Sequence, residues 1–343
     1  MTQSNKKRIV FTISKPVVGG AQFWVSNLCR LLKDEFDVHI ITSCEGWLTD
    51  NSHGATIHVI KSLDTVSLIC FRNLFRCLRV ISPDVIVSSS AFAGFYSRLM
   101  HFLIPCRNVY VSHGWSALYK TGFFSKLFVL VEKLLVYATD YVLCVSNEDA
   151  EKAINNIGYG EHKVKVISNK VFIDTPSHKL NLPNGFNVLF VGRLEPPKRP
   201  DLFISSLKSH LSIHGFIIGD GSLKSKLTTT NNITFLGEIS SFNNFVEFDL
   251  FVLASDSEGL PMSAIQAASV GVPLLLSDVG GCSELIDENL PNGLLTKNTI
   301  EDFTNNLTTI LNDYSFFKSN AIVSKEKHNI VTDKLLYINL FFG

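Results

Sequence analysis

The sequence predicts an α/β protein of two domains, each a doubly wound parallel sheet. Three observations carry this. Short, nearly continuous apolar runs recur along the chain with helix-length segments between them, the pattern of strands buried on both faces. The runs form two series, separated by a polar stretch that contains prolines. A chain of 343 residues also exceeds one ordinary core.

The first series comprises Ile9–Ile13, Val38–Ile41, Ile57–Ile60, Val85–Val87, Val109–Val111 and Tyr141–Val145. The second comprises Val188–Val191, Phe216–Ile218, Ile233–Leu236, Leu250–Leu253 and Leu274–Leu276. Asp174–Gly185, with Pro176 and Pro183, is the expected join. The predicted domains are therefore residues 1–175 and 176–324, with 325–343 packing back on the body to bury "KLLYINLFFG".

Composition narrows the function. The chain is 46% hydrophobic and 18% charged, with 31 basic and 31 acidic residues, so it is globular and neutral. Neutrality argues against broad nucleic-acid binding, which needs clustered cations. The seven cysteines include no Cys-x-x-Cys pair and are expected to be reduced, buried thiols. Cys70 and Cys77 are one heptad apart and are expected on one helix face. Ile9–Ile13 is too short for a signal-peptide core, and no uninterrupted apolar stretch reaches membrane-spanning length. A cytoplasmic protein is expected, with peripheral contact on the inner face of the membrane as an option. Arg72, Arg76 and Arg79 on one helix read first as a solvated helix face, with contact to anionic headgroups as the alternative.

In open parallel sheets, ligands sit beyond the carboxyl ends of strands. After Ile9–Ile13, Gly19 and Gly20 allow backbone approach where a helix begins, a place for an anion. After Val109–Val111 comes His113, beside Gly114, a candidate polar site residue. After Val188–Val191, Arg193 and Lys198 flank Pro196-Pro197, and two such cations can grip a diphosphate. Gly219-Asp220-Gly221 reads as a tight strand-to-helix turn. After Leu250–Leu253, Glu258 can accept bonds from hydroxyls, Gly259 lets the backbone approach, and Pro261 suits a first helical turn. "SDVGGCSELI" repeats the plan with Gly280-Gly281 before a helix. No metal-ligand cluster, Walker loop or Asp-x-Asp pair is present, so no metal and no cofactor are expected.

In combination, "VGRLEPPK", "IIGDGSL", "FLGEI", "DSEGLPMSAIQAASVGVPLLLSDVGGCSELI" and "NGLL", with "GGAQ" and "SHGW" in the first half, resemble the family 4 (group 1) retaining glycosyltransferases. The match covers roughly residues 8–315. It implies the GT-B fold, two Rossmann-like domains facing a cleft, and a nucleotide-sugar donor, a UDP-sugar first, held by the second domain. Arg193 and Lys198 match the family's diphosphate-binding cations. Glu258 matches the first acid of a Glu-x7-Glu signature and would face the transferred sugar. Backbone near Gly259 and Leu260 would meet phosphate and sugar. The signature's second acid, which holds the ribose, is replaced here by Gln266. Gln266 can still bond a hydroxyl but lacks the charge. The family's usual Asn-Gly is likewise replaced, by Asn169-Lys170.

The implied reaction retains anomeric configuration. Arg193, Lys198 and helix N-termini would neutralise the leaving diphosphate, Glu258 would orient the sugar, and His113 would line the acceptor side or bond the transferred sugar. Domain closure would exclude water. The acceptor is expected to be a glycan or a lipid-linked saccharide of a surface polysaccharide, such as lipopolysaccharide or capsule. Tyr119, Phe123, Phe124 and Phe128 could form an apolar acceptor or membrane surface, or belong to the core. Two rival readings are a nucleotide-sugar-binding partner subunit with little catalysis, and a GT-B-type nucleotide-sugar epimerase.

Overall fold

The computed structural model describes residues 6–115, 118, 123–174, 176, 179–228 and 230–343. They form two compact units, Met1–Ser168 with Ile330–Gly343, and Asn169–Asn329. The division falls at Ser168/Asn169 rather than at residue 175, and Lys325–Asn329 stay with the second unit. The backbone explains why: Val171 pairs with Asn329, and its N–H donates to the His328 carbonyl at 2.9 Å.

In the first unit, strands β1 (Arg8–Thr12), β2 (Asp37–Thr42), β3 (Thr56–Val59), β4 (Val85–Ser88), β5 (Arg107–Ser112), β6 (Tyr141–Cys144) and β7 (Val164–Val166) form a parallel sheet. Its order is β3-β2-β1-β4-β5-β6-β7. Ile9, Val10, Phe11, Val85, Ile86 and Val87 are fully buried, which explains the unbroken apolar runs. Helix α1 (Gly20–Leu32) follows β1. Helices α2 (Leu68–Ile81), α3 (Ala91–Met100) and α4 (Phe123–Leu135) connect β3 to β4, β4 to β5 and β5 to β6. Helix α5 (Asn147–Lys152) follows β6.

The second unit repeats the plan. Strands β8 (Phe186–Val191), β9 (Ile213–Ile218), β10 (Ile233–Gly237), β11 (Leu250–Leu253), β12 (Leu274–Ser277) and β13 (Gly293–Thr296) are parallel, in the order β10-β9-β8-β11-β12-β13. Its helices are α6 (Pro200–Leu207), α7 (Met262–Ser269), α8 (Ile300–Asn312) and α9 (Tyr314–Ser324). Each sheet reverses its winding once, between β1 and β4 and between β8 and β11, and such points open a crevice for ligands.

Helix α10 (Lys334–Phe342) belongs to the first unit. Its Tyr337 is buried and accepts from Trp24 Nε1 at 3.3 Å, Phe342 stacks on Phe36, and Arg107 donates to the Leu340 carbonyl at 3.0 Å. All seven cysteines are free thiols. Cys70 and Cys77 both lie on α2, but Cys44 is exposed and Cys77 and Cys106 are only half-buried, so burial of the full set was too broad an expectation.

Candidate active site

The crevice of the second sheet brings together two of the three charged side chains that the sequence singled out there, Lys198 and Glu258. Lys198 lies in the loop after β8 and Glu258 in the loop after β11, neighbouring strands that are far apart in the chain. Lys198 Nζ lies 2.5 Å from Glu258 Oε1, with side chains only 17% and 12% exposed. At that distance and burial the two charges attract strongly in the unliganded site.

Backbone bonds clamp the two loops together. The Arg199 N–H donates to the Ala254 carbonyl at 2.9 Å, and the Asp256 N–H donates to the Pro197 carbonyl at 2.8 Å. Pro196-Pro197 is a cis peptide in this turn. The Lys198 stem lies along Gly192, where a Cβ would come 3.2 Å from Lys198 Cε. Arg193 is exposed and has no ion-pair partner among the described residues. Its loop rests on Gly219, whose φ is +139° and where a Cβ would meet the Gly192 carbonyl oxygen at 2.0 Å.

Glu258 is seated from behind by the loop after β12. Gly280 has φ +56°, and a Cβ there would lie 1.9 Å from the Glu258 carbonyl oxygen. The Gly281 N–H donates to the Gly259 carbonyl at 2.7 Å. The two glycines open a 3-10 turn, Gly280–Leu285, rather than preceding a helix. Gly280→Ala should therefore displace Glu258 and lower kcat/KM by at least about tenfold. The check is steady-state kinetics on a variant whose secondary structure is unchanged; unaltered kinetics would refute the seating role.

Ser255, Ser277 and Asn298, to which the sequence assigned no role, also hold this loop. The Ser255 N–H donates to Ser277 Oγ at 2.9 Å, Ser277 Oγ donates to Asn298 Oδ1 at 2.5 Å, and Asn298 Nδ2 donates to the Ser255 carbonyl at 2.8 Å. Ser277 and Asn298 lie at or just beyond the carboxyl ends of β12 and β13, the one available signal.

Pro261 caps α7 and is not its first helical residue. Its carbonyl accepts the N–H groups of Ala264 and Ile265, while the first N–H groups of an α-helix have no intrahelical acceptor. Leu260 is buried, and its carbonyl is taken by Asn169 Nδ2 at 3.3 Å. Asn169 is itself buried, with Oδ1 lacking a partner among the described residues. Gln266, on α7, is half-buried, and its carbonyl accepts from Ser269 Oγ at 2.8 Å.

Gly19, Gly20 and His113 lie at the carboxyl edge of the first sheet. Gly19 is extended, φ −180°, so its backbone does not demand glycine. A Cβ there would crowd the flexible end of Gln22, at 2.6 Å, with the Val17 carbonyl oxygen at an ordinary 4.0 Å. His113 Nε2 lies 2.7 Å from Ser89 Oγ, and the Trp24 ring meets the imidazole at 5.4 Å. Burial pushes the His113 pKa down to about 4, which keeps it neutral near pH 7. In the second unit His328 is also pushed down to about 4, by burial first and then by Lys170 and Lys327.

These depressed values set an acid limit. Between pH 6.5 and about 4 the unfolded chain binds protons that the folded chain refuses, so stability falls with pH there. The gap for His328 corresponds to roughly 3 kcal/mol at most. The melting temperature should fall on acidification across this window, and both imidazoles should remain neutral by NMR at pH 5.5. A histidine charged at that pH would contradict its placement.

Among the described residues no group of three metal-ligating side chains is present. Phe128 is exposed. Tyr119 and the side chains of Phe123 and Phe124 lie outside the described residues.

Residues 174–329 match the family described as glycosyl transferases group 1, and residues 18–174 match glycosyltransferase family 4. The chain is 41% identical over 346 residues to the O-antigen biosynthesis glycosyltransferase WbnH of Escherichia coli, covering 98% of this chain and 100% of the relative. The chain belongs to the group 1 and family 4 glycosyltransferases. This glycosyltransferase is also 26% identical to an Escherichia coli UDP-Gal:alpha-D-GlcNAc-diphosphoundecaprenol alpha-1,3-galactosyltransferase, over 96% of this chain and 93% of the relative. The fold is shared with Anabaena Alr3699/HepE, whose structure is a complex with UDP-glucose: TM-score 0.82, 18% identity, covering 97% and 98% of the two chains. Both Rossmann-like units of the glycosyltransferase thus have the GT-B counterparts that the motifs implied.

Proposed function

We propose that this glycosyltransferase moves a sugar from a UDP-sugar to a saccharide on a lipid diphosphate, with retention, during assembly of an O-antigen-type surface polysaccharide. The observation that carries the reading is the Lys198–Glu258 pair at the switch point of the second sheet. It offers one group for diphosphate and one for sugar hydroxyls, 2.5 Å apart. The names of the two Escherichia coli relatives and the UDP-glucose in the Anabaena structure support the donor and acceptor classes.

The chemistry follows from charge. The acceptor oxygen bonds to the anomeric carbon as the bond to the diphosphate breaks, and the electron pair leaves on the phosphate oxygen. The acceptor proton passes to that oxygen. Lys198 and Arg193 neutralise the leaving charge, and the N-terminal end of α7 adds its dipole. Glu258 accepts from sugar hydroxyls, and Gln266 takes the ribose. Neutral His113 bonds hydroxyls on the acceptor side. A lipid-linked acceptor would place the enzyme at the membrane face that nucleotide sugars reach.

A panel of nucleotide sugars tests the donor by thermal shift. A rise in melting temperature with one UDP-sugar is expected, because a ligand bound to the native state stabilises it by mass action. No rise with any of them would refute the donor assignment. Gln266→Glu restores the charged ribose partner and should tighten that donor's Kd by about fivefold, the equivalent of roughly 1 kcal/mol. An unchanged Kd in calorimetry would remove Gln266 from the ribose site.

A further inference from the structure

We infer that Arg199 and Asp256 are positioning residues for sugar transfer, and that their ion pair sets the register between the loop of Lys198 and the loop of Glu258. The inference rests on the proposed function and deepens it, because it concerns the same two charged groups. Arg199 follows Lys198 directly, and Asp256 lies two positions before Glu258. Lys198 and Ser255 form an isolated antiparallel bridge, flanked by the two backbone bonds between the loops. One bridge is a short ladder, so side chains must help to fix its register.

Arg199 supplies that help. Its Nη1 donates to Asp256 Oδ1 at 3.2 Å, across the two loops. Its Nε and Nη2 donate to the Asp201 carboxylate at 2.9 and 2.7 Å, which holds the planar fork in place. Asp201 lies in the first turn of α6. Asp256 Oδ1 also accepts from Asn298 Nδ2 at 3.2 Å. One guanidinium thus ties the start of α6 to the loop after β11 and, through Asn298, to the loop after β13.

The side chains of Arg199 and Asp256 are 33% and 54% exposed. An ion pair so open to water adds little to the stability of the whole fold. Its leverage is on geometry, since a small misplacement costs a reaction far more than it costs a fold. Binding of free UDP draws on Lys198 and not on Glu258, whereas transfer needs both groups aimed at one donor. Loss of register should therefore separate turnover from UDP affinity.

Arg199→Ala and Asp256→Ala are each expected to lower kcat for sugar transfer by about tenfold, with the Kd for UDP changed by less than about twofold and the melting temperature unchanged. Asp256→Asn keeps an oxygen that can accept from both Arg199 and Asn298, and should restore most of the rate. The double variant Arg199→Ala with Asp256→Ala should be about as slow as Asp256→Ala alone, because both changes break one contact. The register is also read without any donor, by peptide mass spectrometry after treatment with an amine-acylating reagent. Lys198, paired and only 17% exposed, should react slowly in the parent and about fivefold faster in the two Ala variants. Lys318, bonded to the Gly271 carbonyl elsewhere in the second unit, should keep its rate. Parental kcat and parental Lys198 labelling in both Ala variants would overturn the inference, and so would additive losses in the double variant. Faster Lys198 labelling in a protein that binds no nucleotide sugar would uphold the register role and overturn the donor assignment alone.

Discussion

Glu258→Ala is expected to lower kcat for sugar transfer by about a thousandfold while the protein stays folded. Its carboxylate pairs with Lys198 in the second sheet's crevice, at 2.5 Å, and its backbone is fixed by Gly280 and Gly281. A group held so firmly can aim at hydroxyls that must be oriented before the anomeric bond breaks. Glu258→Gln keeps the shape and loses the charge, so it should fall between wild type and Ala. Near-full activity of the Ala variant would remove Glu258 from the mechanism.

Lys198→Ala is expected to lower kcat/KM for the donor by at least about a hundredfold and to weaken inhibition by free UDP. In the proposed site Glu258 and a diphosphate would compete for the same ammonium group, so donor binding would draw Lys198 toward phosphate and free the carboxylate for the sugar. Lys198→Arg should restore little, because a planar fork cannot follow the path of the lysine stem along Gly192. Retained UDP inhibition in the Ala variant would place the diphosphate elsewhere.

Much of the fold was legible because burial on both sheet faces writes continuous apolar runs into the chain. The two strands that the runs did not reveal have reasons of their own. Strand β7, Val-Lys-Val, is a three-residue edge strand with two exposed positions. Strand β13 opens on Gly293, where a Cβ would meet the Leu274 carbonyl oxygen at 2.1 Å, so close approach replaced an apolar side chain. In the site, Lys198 and Glu258 stood out by their strand-end positions. Their pairing could not be read from the chain, because it depends on β8 and β11 being neighbours in the sheet. The same applies to Gly280 behind Glu258 and to the links through Ser277, Asn298 and Asn169, which rest on positions distant in sequence.

Retaining transfer is tested by the anomeric configuration of the product formed from a UDP-sugar and a lipid-diphosphate-linked saccharide, read by NMR after mass spectrometry shows one sugar added. A glycoside with the configuration of the donor's anomeric carbon is expected. An inverted product, or donor converted to its epimer with no sugar transferred, would contradict it.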